Sequence, residues 1–120
     1  MPSEIPLYAS VSATFVDDGN GGSIAQATLG PQVYGVDWVI DSMVTNTNSA
    51  QTIGTSELRV YQGAPSPSTD RGGSWSADND TFTDDTINLR TLEFLTFVWT
   101  KGDVGSVATI IVRGTQKNKR

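Results

Sequence analysis

The sequence predicts an all-β protein: an antiparallel β-sandwich, jelly-roll-like, with about seven to eight strands in one domain over residues 1–120. Three observations carry this. Apolar and polar residues alternate with period two through most of the long runs, the mark of strands with one buried face. Clusters of Gly, Pro, Asn and Asp interrupt the runs every 8 to 12 residues or so, as about seven short strands require. Charged residues make up only 18% of the chain while Ser, Thr and Gly abound, a balance that disfavours helices.

Taken in order, Tyr8–Val16 places Val11, Ala13 and Phe15 on one face and Ser10, Ser12 and Thr14 on the other. The segment 17–22 (DDGNGG) is rich in residues that tolerate positive φ, and the alternation resumes through Ala25, Ala27 and Leu29, so the two runs read as a hairpin. Gly30-Pro31 closes it. In the run from Val33 to Thr47, Val36, Trp38, Ile40 and Val44 share one parity, and Asp37, Asp41 and Thr45 the other. Its β-branched residues and lack of helical charge spacing argue against a helix. Leu58 and Val60 flank Arg59 in a further strand. Phe82, Ile87 and Leu89 follow in broken alternation. Leu92–Thr100 is apolar on both parities, which predicts a central strand, or one covered outside by a partner. Ser106–Thr115 then reads as its hairpin partner. A short N-terminal segment (1–7) and a basic C-terminal tail (116–120) flank these strands.

Between two strand-like runs lies GAPSPSTDRGGSW, Gly63 to Trp75. Ala64-Pro65-Ser66-Pro67 favours extended backbone, and Gly72-Gly73 offers a hinge that aims Trp75. The stretch reads as a contact arm or as a crossover between sheets whose tip is a contact, against a plain connection with no partner. Pro65, Pro67, Arg71 and Trp75 are the contact candidates. Trp75 is either an exposed anchor for a partner chain or sugar ring, or a plug for one end of the sandwich. Trp38 and Trp99 fall at apolar parities and read as core.

The chain has no histidine and no cysteine. Triads built on His or Cys are therefore impossible within it, disulfides are excluded, and zinc loses its usual ligands. The glycines at 19, 21 and 22 do not lead from a strand into a helix, so no nucleotide-binding loop is expected. Asp78, Asp80, Asp84 and Asp85 cluster in DNDTFTDD. They are weak calcium candidates lacking the spacing of a calcium loop; solvated turn aspartates are the simpler reading, and a paired-carboxylate hydrolase the remotest. No cofactor and no enzymatic activity are expected.

The net charge is −5, and all thirteen acidic residues lie at or before Asp103. Four of the eight basic ones, Arg113, Lys117, Lys119 and Arg120, lie after it. Too few for a nucleic-acid footprint, they read as a solvated, frayed end or as an arm that docks on an acidic neighbour. No stretch approaches the roughly 20 apolar residues of a membrane span, and the N-terminus lacks the basic start and apolar run of a signal peptide. Neither nucleic acid nor membrane is an expected partner.

Three stretches, ATLGPQVYGVDWVIDSMVTNT, TSELRVYQGAPSPST and LEFLTFVWTKGDVGSVATIIVRGT, carry a resemblance in texture and order over well over half the chain. Together they resemble small virion structural proteins of tailed bacteriophages, especially phages of actinobacteria. The resemblance implies a non-enzymatic protein made in the host cytoplasm and displayed in copies on the virion. A head decoration or accessory capsid protein is expected first, with a tail component next. Its partners would be the major capsid or tail protein and further copies of itself. A carbohydrate-binding sandwich on a tail tip, with Trp75 reading a sugar, is the alternative from another class.

Overall fold

The computed structural model describes residues 3–52, 54–74, 77, 80–82 and 86–119. Among these residues there is no helix, and ten strands form: β1 (Ser3–Thr14), β2 (Val16–Asp17), β3 (Ser23–Leu29), β4 (Val36–Thr47), β5 (Glu57–Gln62), β6 (Asp70–Ser74), β7 (Asp80–Phe82), β8 (Ile87–Leu89), β9 (Leu95–Thr100) and β10 (Val107–Asn118). One sheet runs β1-β10-β4, with β7 and β8 both on the far side of β4; the other runs β2-β3-β9-β5-β6. All pairings are antiparallel. β7 and β8 lie end to end against Met43–Thr45 and Trp38–Ile40, so they act as one interrupted strand. With the two-residue β2 set aside, the principal strands read first-eighth-third-sixth in one sheet and second-seventh-fourth-fifth in the other. This is the jelly-roll order.

The core lies between the sheets. Leu7 is buried, Ala9, Val11 and Ala13 turn toward the core, and Ser10, Ser12 and Thr14 face out, as the alternation of β1 requires. Phe15 follows, fully buried. β9 is central in its sheet, between β3 and β5, and buries Leu95, Phe97 and Trp99. The rings of Phe97 and Trp99 stack with centroids 6.1 Å apart. The Trp99 indole N–H donates to Thr45 Oγ1 across the core at 2.9 Å, tying one sheet to the other through a fully buried hydroxyl. Trp38 is core as well.

Several long-range expectations are corrected. The first two runs are not a hairpin: β1 pairs along its whole length with β10, and only Val16 and Asp17 pair with β3. The chain changes sheets at Phe15, because this residue spends its backbone on the 101–106 connection: its N–H donates to Ser106 O and its O accepts from Gly105 N–H, each at 2.9 Å. Nor do β9 and β10 form a hairpin, since they lie in different sheets. In β4 the parity does not persist. Arg113 pairs with Ser42 and Gly114 with Ile40, which leaves Asp41 as the extra residue of a β-bulge. Beyond it Met43 and Thr45 are buried and Val44 faces out half-buried, the reverse of the simple alternation. Gly114 sits opposite this bulge, where a Cβ would lie 1.8 Å from Val39 O.

Both terminal segments join the sheet as far as they are described. Residues 3–7 belong to β1, and β10 continues through Asn118, paired with β1 on one side and β4 on the other. The expectation of a frayed basic end is thus overturned as far as Lys119, whose backbone N–H donates to Gly35 O at 2.7 Å.

Candidate contact surface at one end of the sandwich

Successive connections of an antiparallel jelly roll alternate between its two ends. At one end gather the loops 30–35, 63–69 and 90–94, with the start of β1 and the finish of β10. Local chemistry explains these turns. Gly35 has φ +83° and lets Val36 N–H reach back to Val33 O at 3.1 Å. Glu93 N–H donates to Arg90 O at 2.9 Å, while Arg90 N–H donates to Glu93 Oε1 at 2.6 Å. Between them Leu92 has φ +71°, a conformation that costs an apolar L-residue energy. The loops are also bonded to one another. Leu92 N–H donates to Pro31 O at 2.8 Å and Gly63 N–H to Phe94 O at 2.9 Å. Gly30 lies so close to the 90–94 loop that a Cβ would stand 2.3 Å from Glu93 O.

This end exposes several large apolar side chains among its polar ones. Val33 (66% exposed), Tyr34 (84%), Leu92 (71%) and Phe94 (39%) project from two adjoining loops, with Ile5 of β1 also exposed. Leu92, Glu93 and Phe94 line an open groove of about 410 Å3 with Thr28, Gly30 and Gln32. Beside it, Lys119 Nζ pairs with Asp37 Oδ2 at 2.7 Å, and Thr91 N–H donates to Asp37 Oδ1 at 3.2 Å. The hydrogen bond from Lys119 holds the Asp37 carboxyl below the usual carboxylate range; partial burial opposes this, while the charge of Lys119, the Thr91 N–H and Arg90 reinforce it.

The residues singled out from sequence fare unevenly. Pro65 and Pro67 are exposed, but their loop is no projecting arm and no crossover between sheets. It is a closed hairpin loop joining β5 to β6: Gln62 N–H donates to Thr69 O at 2.9 Å, and Thr69 Oγ1 donates to Ala64 O at 2.7 Å and accepts from Ser66 N–H at 3.1 Å. Gly72 and Gly73 are not a hinge either. They lie in edge strand β6 where its register with β5 shifts, and a Cβ on Gly73 would lie 1.8 Å from Leu58 O. Arg71 is exposed on β6. Lys117 is exposed on β10, and Lys119 pairs with Asp37 of this chain. Pro65, Pro67, Lys117 and Lys119 therefore share the apolar end. Trp75, Asp78, Asp84, Asp85 and Arg120 lie outside the described residues. Asp80 belongs to β7, its backbone paired opposite Thr45.

The exposed apolar residues went unmarked in sequence because Val33 and Leu92–Phe94 extend apolar runs that read as strand. β4 begins only at Val36 and β9 only at Leu95. The available signal was Val33-Tyr34 enclosed by Pro31 and Gly35, two large apolar side chains inside a turn. Among the described residues no group of three or more carboxylates is placed to hold a metal ion. No protein-family model matches the chain, and no curated protein matches it in sequence.

Proposed function

We propose that this jelly roll is a non-enzymatic structural protein of a tailed-phage virion, decorating or reinforcing the capsid surface through lattice contacts. The observation that carries the reading is the cluster of Val33, Tyr34, Leu92 and Phe94, exposed together on bonded loops at one end of the sandwich. Soluble monomers leave single apolar side chains in water readily, but a cluster of four on an ordered scaffold is what a protein contact uses. The jelly roll is a fold of viral capsid domains, and the sequence resemblance points the same way. A tail component is the near variant of the same reading.

Gold labelling of source particles with an antibody to this protein tests it. Label over the heads is expected, and Leu92→Ser with Tyr34→Ser should abolish rebinding of purified protein to stripped particles while leaving it folded. Label confined to the tail would move the contact there, and intact particles without label would overturn surface display. A carbohydrate-binding module is the second reading, favoured by the 84% exposure of Tyr34 on a fold that lectins also use. It requires glycan binding that Tyr34→Ala abolishes.

A further inference from the structure

The two sheets expose very different edges. β2 is two residues long, β6 is five residues with a shifted register, and β7 and β8 are three residues each. β1 is twelve residues long, continuous, and, among the described residues, paired on one side only. Proteins blunt such edges with charges, prolines or bulges, because unpaired N–H and C=O groups recruit another strand.

The side of β1 that is free follows from its register. Phe15 exchanges both backbone groups with the 105–106 segment, so in the ladder that precedes it the odd-numbered residues of β1 bond to β10. The even-numbered residues aim theirs away from the sheet. Pro6 belongs to this outward set, where its missing N–H removes no bond to β10. It and Glu4 guard the first part of the edge. From Tyr8 to Thr14 the edge carries no charge, proline, glycine or bulge, and the outward donors of Tyr8, Ser10, Ser12 and Thr14 meet no partner strand among the described residues.

The geometry points to a two-fold dimer in which β1 of a second copy adds antiparallel to this edge. One register uses every outward donor: Tyr8 opposite Thr14 and Ser10 opposite Ser12, each repeated by the symmetry, with the axis at Val11. Core-facing neighbours across the axis are then Val11 with Val11 and Ala9 with Ala13, and no like charges meet. In this register Pro6 falls opposite position 16, where the partner chain has already left for its other sheet, so no donor is missed. A slip of two residues in one direction sets Pro6 against Thr14 and loses a donor; in the other it strands Tyr8 beyond the partner's Phe15. The edge is self-complementary, as an isologous contact must be. This contact stands on β1 alone, apart from the apolar end and from any placement on a virion.

Sedimentation velocity of the full chain across a micromolar concentration series is the test, with amide hydrogen exchange on the same samples. A dimer is expected, with the amides of Tyr8, Ser10, Ser12 and Thr14 protected in it and released on dilution. Ser10→Lys/Ser12→Lys sets ammonium groups opposite one another and should weaken the dimer by more than about tenfold. Ser10→Pro, which repeats the placement of Pro6, should do the same with circular dichroism unchanged. Thr109→Lys, which puts the charge one strand inward and loses the same Ser12 hydroxyl contact, should stay dimeric. A monomer at all concentrations, an odd-numbered oligomer, a dimer indifferent to both edge variants, or a monomer whose β1 pairs only with another protein would each overturn the inference.

Discussion

The two ends of the jelly roll use similar turn residues and finish differently. At the end that includes 18–22, 48–52, 54–56 and 101–106, polar groups answer one another. Asp18 Oδ1 accepts from the N–H groups of Asn20 and Gly22 at 2.7 and 3.0 Å, and Asp103 Oδ1 accepts from Thr52 N–H and Oγ1 at 3.1 and 2.7 Å. Ser23 Oγ donates to Gly102 O, and Phe15 plugs the core beneath. Among the described residues, Val16 and Val104 are the large apolar side chains exposed there. The opposite end is bonded as thoroughly through its backbone but projects Val33, Tyr34, Leu92 and Phe94 into water. The described loops are held by hydrogen bonds at both ends. At the apolar end, backbone bonds hold apolar side chains in place at the surface.

The largest effect expected from this contrast is at the plugged end. A Cβ on Gly102 would lie 2.3 Å from the Phe15 ring, so Gly102→Ala should overpack the core and cost about 1–3 kcal/mol in denaturant unfolding. An unchanged midpoint would mean that Phe15 does not close this end. The next effect separates the ends directly. Asp18→Ala, which orphans two turn amides, should cost about 1 kcal/mol, whereas Leu92→Ser should stay within about 0.5 kcal/mol of the parent. Equal losses in the two variants would erase the distinction.

The smallest effect is electrostatic. Asp37 is held below its ordinary value by Lys119, so its contribution is present above the unfolded carboxyl pKa of about 4 and is lost as pH falls through the lower folded value. Asp37→Asn should therefore cost under about 1 kcal/mol at neutral pH, the scale of an ion pair whose lysine is solvent-exposed. The difference from the parent should vanish in acid. A gap that persists to low pH would show that the side chain acts there by packing instead of charge.

How much of this was legible in the sequence depends on range. The inward set of β1 and the burial of Trp38 and Trp99 follow from period-two alternation, and the central position of β9 from apolar residues on both parities; all are found. The partner of each strand was not legible. Two runs joined by a glycine-rich turn look like a hairpin from their own residues, yet β1 finds β10, with Ser12 meeting Thr109 across 97 positions of chain. The candidate contact surface was half legible: the prolines and the basic residues stood out, but the apolar loop residues were absorbed into neighbouring strands.

By itself the sequence determined that the chain is all-β, where the middles of the long strands lie, and which side chains of an unbroken strand face inward. Those properties need only the pleat, a local repeat that a few consecutive residues express. Tertiary structure alone decided the jelly-roll order, the reversal of β4 beyond Asp41, the closure of the 63–69 loop and the gathering of apolar side chains at one end. Each of these exists only between segments. A bulge is defined by what two strands place opposite each other, and a surface by which distant loops the core brings to the same end.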